Sequence, residues 1–333
     1  MSDAPHVTLD TAGGLRAGAG HLLRSIALAE RLRALKADAT LLSKPNALPS
    51  LAKRAIRAAG LGVASQRDSP PRVVVVDRPD TTTERLELLH RRWPAAALVA
   101  LDYYGPAVDG LALVVNLNEA RETRAQSRAL PKARGLRYVI LRDSFRALRR
   151  RRRLARPGIR RILVGFGGTD PNGWSEQAAR VMTRCLSGDV SVHLLTGEKP
   201  RGADSVTRPA GRSIIRHVTI ADPAPLLAAS DLAIIGGGTM LAEAACLGIP
   251  AVVVPRTQAE RLFARQFSAA GAARMVEPEN GRLPERALAR LVRNLADDKD
   301  ARRRMQRAGR RLIDGRGAER IARFIVEISG HRS

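Results

Sequence analysis

A histidine followed three residues later by an arginine opens a helical pattern near the start of this 333-residue chain. In the stretch GAGHLLR, Gly18 and Gly20 form a turn before His21, and Arg24 lies on a neighbouring helical face. The positive end of the helix dipole and the nearby guanidinium both disfavour a charged imidazole, so we expect His21 to be neutral near pH 7. A neutral imidazole beside a glycine turn can act as a general base. The alternative is a histidine that caps the helix or packs beneath the turn.

Three consecutive glycines form a second candidate site later in the chain. Gly236, Gly237 and Gly238 connect a short apolar strand pattern to a helical pattern. Glycines let the backbone approach a ligand closely, and the free N–H groups at a helix start attract phosphate. We expect Thr239 to cap this helix and Glu243, one turn inside it, to accept hydrogen bonds from sugar hydroxyls. The loop is predicted to bind a phosphate or diphosphate. A glycine-rich turn beside a solvated glutamate is the alternative.

The sequence GGTDP forms a second glycine loop, after another apolar strand pattern. Gly167 and Gly168 are expected to turn the chain there. Thr169 or Asp170 is expected to cap the next helix, with Pro171 at its first position. The loop is predicted to hold an anion or a sugar hydroxyl, and the alternative is a helix cap without a binding role.

Strand and helix patterns alternate along the chain, which is typical of a doubly wound parallel sheet. Ligands of such sheets bind at the carboxyl ends of the strands. Asp77 and Asp102 each follow a buried strand pattern and are predicted to contact substrate, although each could instead cap a loop or a helix. A further short strand is predicted over residues 138–141.

An arginine-rich run that ends in Pro157 and Gly158 indicates a boundary between two halves. The predicted organisation is an N-terminal Rossmann-like domain (1–148), a linker (149–160), a C-terminal Rossmann-like nucleotide-binding domain (161–315) and a C-terminal helix (316–333).

The net charge of +25 is large, and 51 of the 57 basic residues are arginine. Such a bias follows from GC-rich codon usage, or it reflects an anionic substrate, an anionic membrane surface or nucleic acid. Aromatic residues make up only 3% of the chain, which argues against base stacking, so no nucleic-acid partner is predicted. Peripheral contact of the arginine run with an anionic membrane remains an alternative to a solvated linker.

Several classes of protein are excluded by missing patterns. Two cysteines, Cys185 and Cys246, cannot form a disulfide framework, and no signal peptide or membrane span is apparent, so a cytoplasmic location is expected. Leu23 stands where a dinucleotide fingerprint needs its third glycine. A P-loop, an H-E-x-x-H motif and a His/Cys cluster are absent from the sequence, so neither a cofactor nor a metal is predicted.

These pieces together resemble the GT-B fold of nucleotide-sugar enzymes. Within that fold the chain resembles the UDP-sugar hydrolases of the pseudaminic acid pathway (UDP-2,4-diacetamido-2,4,6-trideoxy-altropyranose hydrolase) and the related spore-coat polysaccharide proteins. The matching segments appear in the family's order: GAGHLLRSIALAERL (18–32), YVILRDSF (138–145), ILVGFGGTDPN (162–172), the glycine loop with LGIPAVVV, and LIDGRGAERIARFI (312–325). The glycine loop is shared with the peptidoglycan GlcNAc transferases. The resemblance implies an α/β chain whose two Rossmann-like domains face each other across a cleft.

The resemblance also implies roles for single residues. His21 would activate a water that attacks the anomeric carbon, with inversion and release of a nucleotide diphosphate. Glu243 would hold the ribose, and Gln258 would face the sugar or phosphate.

The chain departs from the family pattern at two places. Asp10 supplies only part of the family's first-strand signature, and the sequence after the strand at Asp77 lacks a tyrosine that is thought to position water. Tyr103 and Tyr104 lie one strand further on. The GGGTM loop is closer to the transferase type.

The sequence therefore predicts an enzyme that hydrolyses a UDP-sugar or another NDP-sugar in surface-glycan or nonulosonic-acid biosynthesis. The alternative is an inverting GT-B glycosyltransferase that uses the same base on an acceptor hydroxyl. A third hypothesis is a catalytically inactive protein that binds a sugar nucleotide or an anionic surface.

Overall fold

The apolar segments of the chain form parallel strands, and helices cover both faces of the sheets that these strands build. The computed structural model describes residues 4–12, 20–42, 50–63, 70–79, 81–118, 132–151, 157–168, 170–197 and 213–330. Gly18, Thr169 and part of the arginine run (152–156) lie outside the described residues. The chain divides into two compact units, Met1–Arg142 with Gly315–Ser333 and Asp143–Asp314.

The first unit contains a parallel sheet that has seven strands among the described residues, in the order β3-β2-β1-β4-β5-β6-β7. These strands are β1 (His6–Thr11), β2 (Asp38–Leu42), β3 (Gly62–Val63), β4 (Val73–Asp77), β5 (Ala97–Leu101), β6 (Leu111–Asn116) and β7 (Lys132–Arg134). The helices between them are α1 (Gly20–Ala34), α2 (Ser50–Ala58) and α3 (Thr83–Arg92).

Strand β4 shows why this sheet is buried on both sides. Its sequence VVVVD has four apolar residues in a row before Asp77, and every residue of the strand is buried. Val73 and Val75 lie in one apolar cluster with α1, whereas Val74 and Val76 lie in another with α3. Unbroken apolar strands of this kind are typical of parallel sheets that have helices on both faces.

The second unit contains a parallel sheet with six strands among the residues that the structure describes, in the order β10-β9-β8-β11-β12-β13. Its helices and strands are α4 (Asp143–Arg149), β8 (Arg161–Gly165), α5 (Trp174–Cys185), β9 (Ser191–Thr196), β10 (Ser213–Val218), α6 (Ala224–Ala229), β11 (Leu232–Ile235), α7 (Thr239–Leu247), β12 (Ala251–Val253), α8 (Gln258–Ala269), β13 (Ala273–Met275), α9 (Glu285–Asp297) and α10 (Lys299–Leu312). Ile162 and Val164 of β8 pack in one core with α5, α9 and α10. The fold class predicted from the sequence, α/β with two Rossmann-like domains, is confirmed.

The division between the units falls before α4 and not at the arginine run. Arg149, at the end of α4, donates hydrogen bonds to the carbonyl oxygens of Cys246 (2.7 Å) and Arg310 (2.6 Å) in the second unit. The closing helix α11 (Gly317–Gly330) belongs to the first unit, where Ile321 and Ile325 are buried in the same core as α1. The chain therefore returns to its first unit at the end.

The strand predicted over residues 138–141 is wrong. A 3-10 turn spans Leu136–Tyr138, and the following apolar residues are buried without joining the sheet. They pack against α11: a Cβ placed on Gly317 would lie 2.1 Å from the carbonyl oxygen of Val139. Their apolar character thus reflects contact with a helix almost 180 residues further along the chain. No helix in the described ranges is both long and apolar enough to cross a membrane.

Candidate functional site

The first candidate site lies where the strand order of the first unit reverses. The chain moves outward from β1 to β3 and then returns to the other side of β1 as β4. Loops that leave neighbouring strands in opposite directions open a crevice at the carboxyl end of the sheet. The helix α1 follows β1, and Asp77 ends β4, so both border this crevice.

His21 is the second residue of α1, and its ring contacts Asp77. Its Nδ1 lies 2.7 Å from Oδ1 of Asp77; the His21 side chain is 24% exposed, while Asp77 is fully buried. An ionised carboxylate only accepts hydrogen bonds, so Nδ1 carries the proton and donates it. In a neutral imidazole the lone pair is then on Nε2. This tautomer is the one that a general base needs.

Asp77 is held in its ionised form by its neighbours. Burial alone would raise the pKa of Asp77, but the charge of Arg24 and the hydrogen bonds from His21 and Arg24 outweigh burial and hold this pKa below its ordinary value. The hydroxyl of Ser25 donates a further hydrogen bond of 3.2 Å to Oδ2. Asp77 can therefore orient the His21 ring and stabilise the imidazolium that forms when Nε2 takes up a proton.

Arg24 joins two carboxylates at the ends of the neighbouring strands β4 and β5. Its Nε lies 2.7 Å from each oxygen of Asp77, and its NH1 donates to Oδ2 of Asp102 at 3.0 Å. Burial would lower the pKa of Arg24, but the two carboxylates raise it above its ordinary value. A guanidinium nitrogen of Arg24 lies 3.1 Å from Nδ1 of His21, but the negative charges of Asp77 and Asp102 offset the positive charge of Arg24. The expectation of simple repulsion between Arg24 and an imidazolium was incomplete, because it left out these carboxylates.

Asp102 is engaged by the protein rather than pointing freely into the crevice. It follows β5 in a left-handed conformation (φ 54°), and its side chain is 27% exposed. Its Oδ1 accepts from the N–H of Leu117 at 3.3 Å, and its Oδ2 accepts from Arg24. Both oxygens thus contact protein donors, a structural role that differs from the loop or helix cap given as the alternative for this residue.

A third carboxylate at this edge is paired with arginines that the sequence reasoning did not select. Asp10 is the second-to-last residue of β1 and is buried, and Arg85 donates to both of its oxygens at 2.9 and 2.7 Å. Arg78 donates to the same carboxylate at 3.4 Å. Tyr103, a candidate for positioning water, is buried, and its hydroxyl bonds to Thr83 and to the carbonyl of Pro106. It is therefore part of the packing around β5.

The second candidate site lies at the corresponding reversal in the second unit, between β8 and β11. Gly167 follows β8 with φ +91°, a conformation that favours glycine, and Gly167 and Gly168 are exposed. Gly237 follows β11 and is buried; a Cβ placed on it would lie 2.6 Å from the carbonyl oxygen of Glu260. Both glycine loops that the sequence predicted thus lie at the same edge of one sheet.

The predicted cap of α7 is wrong. The N-cap is Gly238, Thr239 is the first helical residue, and no side chain caps the helix. Gly238 and Thr239 are both exposed. Because the first N–H groups of a helix lack carbonyl partners within it, this uncapped start can bind an anion better than a capped one. Glu243 is buried in α7, so the alternative of a solvated glutamate is also wrong.

The N-cap of α5 is Gly173 rather than Thr169 or Asp170 as predicted, but the side chain of Asp170 bonds to the start of this helix. The carboxylate oxygens of Asp170 accept from the N–H groups of Trp174 (3.1 Å) and Ser175 (2.8 Å). The helix α5 begins at Trp174, after a turn, so Pro171 is not its first residue as predicted. The carboxylate is used to satisfy the start of α5, which is a reason for aspartate at this position without any ligand.

Two residues at this edge were missed by the sequence reasoning. Oε2 of Glu260 accepts from the N–H groups of Arg256 (2.8 Å) and Gly237 (3.3 Å), and its Oε1 accepts from the Arg256 guanidinium (3.0 Å). The spacing Arg-x-x-x-Glu directly after a strand was the available signal. Gln258, which was singled out instead, is exposed, and its Oε1 accepts from Arg261 at 2.7 Å.

Comparison with known sequences gives a match in the second half of the chain. Residues 163–321, a little under half of the chain, match the glycosyltransferase family 28 C-terminal domain. The spore coat polysaccharide biosynthesis protein SpsG of Bacillus subtilis (strain 168) is 27% identical over 198 residues, which are 57% of this chain and 57% of that protein. The uncharacterized protein MJ1062 of Methanocaldococcus jannaschii is 25% identical over 280 residues, 77% of this chain and 56% of that protein. The chain thus spans a little over half the length of the curated relatives it matches.

Solved structures resemble nearly the whole chain. The glycotransferase of kitacinnamycin has a TM-score of 0.69 at 15% identity, covering 98% of this chain and 99% of that one. MurG of Acinetobacter baumannii has a TM-score of 0.66 at 15% identity, covering 97% and 99%. A UDP-N-acetylglucosamine 2-epimerase has a TM-score of 0.61 at 16% identity, covering 100% and 98%. At such low identity these likenesses concern the fold alone, and they show that the chain has the GT-B fold, with two Rossmann-like α/β domains.

Proposed function

We propose that this protein is a GT-B enzyme of glycan biosynthesis that transfers a sugar from a nucleotide-sugar donor to an acceptor hydroxyl. The observation that carries the proposal is the contact between Nδ1 of His21 and buried Asp77, which leaves Nε2 to accept a proton. The match of residues 163–321 to a glycosyltransferase domain supports the reaction class.

In the proposed reaction, Nε2 of His21 removes the proton from the acceptor hydroxyl while the hydroxyl oxygen attacks the anomeric carbon. The bond between that carbon and the diphosphate oxygen breaks, and the nucleotide diphosphate leaves with the electron pair. The configuration at the anomeric carbon is inverted. Asp77 stabilises the positive charge that His21 acquires, as the buried carboxylate does in other histidine-carboxylate pairs.

The second unit is proposed to bind the nucleotide part of the donor. The N–H groups of the exposed residues at the start of α7 and in the Gly167–Gly168 turn would receive the diphosphate, where the helix dipole favours negative charge. Glu243 and Gln258 stay proposed contacts to ribose and to sugar or phosphate. Asp102 and Asp170 are now better explained by their bonds to Arg24 and to the start of α5.

Hydrolysis of the same donor is the second candidate function. Residues 18–32 and 162–172 favour it, because they resemble UDP-sugar hydrolases. The same base would then act on water in place of an acceptor hydroxyl. Transfer is put first because of the glycosyltransferase domain match and because SpsG is described as a polysaccharide biosynthesis protein.

One assay distinguishes the two reactions. The purified protein is incubated with UDP-sugars and other NDP-sugars, with and without an acceptor-containing lysate, and release of nucleotide diphosphate is measured. Transfer predicts release that depends on the lysate, with radiolabelled sugar recovered in an acceptor product. Release at the same rate without any acceptor, with free sugar as the product, would replace transfer by hydrolysis. Binding of donors without turnover under either condition would support the inactive binding protein.

A further inference from the structure

Arg256 and Glu260 form an ion pair that connects the two glycine loops of the second unit. The Arg256 guanidinium is 3.0 Å from Glu260, and it lies against both loops: Cβ atoms placed on Gly167 and Gly236 would be 3.5 and 3.8 Å from its nitrogens. The side chains of the pair are 22% and 16% exposed. The pair therefore occupies the place where both loops would meet a bound anion.

The Glu260 carboxylate already behaves as an anion bound to the Gly237 loop. It accepts from two backbone N–H groups, those of Gly237 and Arg256, and from one guanidinium nitrogen. Backbone N–H groups and arginine are the donors that recognise phosphate oxygens. An internal carboxylate on these donors thus stands where a phosphate oxygen of a ligand could bind.

Helix capping does not account for this position of Glu260. Thr257-x-x-Glu260 has the sequence of a capping box, and Oγ1 of Thr257 does accept from the N–H of Glu260 at 3.1 Å. In a capping box the glutamate bonds back to the N–H of the cap residue. Here the carboxylate reaches one residue further back, to Arg256, and across to Gly237.

Arg256 is only partly used by Glu260. Its NH2 bonds to the carboxylate, but its Nε is buried without a hydrogen-bond partner among the described residues. A guanidinium binds anions best through two parallel N–H donors, and a buried donor without a partner is unfavourable. A diphosphate, which presents several oxygens, can satisfy Nε and NH2 together.

We propose that Arg256 is a diphosphate-binding residue and that Glu260 is an internal competitor, which a nucleotide diphosphate displaces from Gly237 and Arg256. This inference rests on the proposed function, since it concerns the nucleotide site of the same enzyme. Glu260 keeps the donors ordered while the site is empty, and it weakens binding because its negative charge must move away from the incoming phosphates.

The test is titration calorimetry with UDP, TDP and inorganic pyrophosphate on the full chain. Glu260→Gln keeps an acceptor for both N–H groups but removes the charge, so we expect three- to tenfold tighter binding of all three probes. Arg256→Gln should weaken binding at least tenfold, and Arg256→Lys should weaken it less, because lysine keeps the charge but loses the paired donors. Thermal unfolding curves establish that each variant is folded.

A matched control is Arg265→Gln, which removes an exposed arginine of α8. Arg265 lies more than one helical turn beyond Glu260, so binding of pyrophosphate should stay within twofold of wild type. This inference would be overturned if the wild-type chain binds nucleoside diphosphates and Arg256→Gln binds them with the same affinity, or if Glu260→Gln binds them more weakly. Either result would leave the proposed function intact. A wild-type chain that binds no nucleoside diphosphate would overturn both.

Discussion

At the strand reversal of the first unit, buried side chains of opposite charge contact one another, whereas at the reversal of the second unit many of the donors are backbone N–H groups. His21, Arg24 and Asp77 are each held by side chains from different elements. The start of α7 has no side-chain cap, and its loop is shaped by glycines. A general base needs a fixed tautomer and ring orientation, while a diphosphate site needs close approach and several donors. The difference is the one that the proposed division of roles requires, with chemistry in the first unit and binding in the second.

Replacing His21 should have the largest effect of the changes predicted here, because it should impair the chemical step without impairing nucleotide binding. His21→Asn and Asp77→Asn are expected to lower kcat by about 10²- to 10⁴-fold, because proton removal from the nucleophile is lost or misdirected. The Kd for UDP should change by less than twofold in both variants, since that site is assigned to the other unit. Steady-state kinetics and calorimetry measure the two quantities.

The matched control for His21 is His90→Asn. His90 lies in the last turn of α3 against Gly110, before β6 begins, and therefore far from the carboxyl ends of the strands. The kcat of the His90→Asn variant should therefore be close to that of the wild type. If His21→Asn reduces UDP affinity as much as it reduces kcat, the assignment of chemistry to one unit and binding to the other is wrong.

The glycine loop offers a second, smaller test. Gly237→Ala should lower the free energy of unfolding by about 1–3 kcal/mol, because the new methyl would lie 2.6 Å from the Glu260 carbonyl oxygen. UDP affinity should fall as well. At Gly238 a Cβ meets nothing within 4 Å and φ is −90°, so Gly238→Ala should cost less, only the roughly 0.5–1 kcal/mol by which alanine is a poorer N-cap than glycine. Equal destabilisation of both variants in urea unfolding would show that close packing does not select glycine here.

The sequence predicted the local features of both sites but few of their contacts. The start of α1 at Gly20, the acids at strand ends and the two glycine loops follow from patterns within short windows. Arg24 and Asp77 are 53 positions apart, and periodicity does not specify which side chains pair across a sheet edge. Three of the acids, Asp77, Asp102 and Asp170, proved to be bound by protein donors, because a carboxylate near a helix start or an arginine satisfies those groups first.

The missed strands and the wrongly predicted one have related causes. The strand β7 reads KAR and has no apolar pattern, so its pairing with β6 could not be found locally. Residues 138–141 are apolar because they contact α11, which the chain supplies at its other end. Glu260 was not selected from the sequence, although the Thr257-x-x-Glu260 spacing marked it as a candidate for backbone contacts.

The last prediction is a difference in acid sensitivity between the units. His193 and His217, on β9 and β10, stack with a 2.9 Å contact between Nδ1 and Nε2. Burial, with Arg161 and His217 nearby, lowers the pKa of His193 to about 4. The unfolded chain, with a histidine pKa of about 6.5, binds more protons between these values. The stability of the second unit should therefore be complete above about pH 6.5 and fall toward pH 4, by at most about 1.4 kcal/mol per pH unit for one proton.

The first unit should respond in a lower pH range, because the pKa of Asp77 is below its ordinary value and its contribution is lost only as the pH falls below about 3.9. The two tryptophans report the units separately: Trp174 is buried in the second unit, and Trp93 lies in the first. In a Trp93→Phe background, the urea midpoint from Trp174 fluorescence should fall between pH 6.5 and 4.5. Adding His193→Asn should remove most of that dependence. A midpoint that is constant over this range would mean that the histidine pair does not resist protonation in the folded unit.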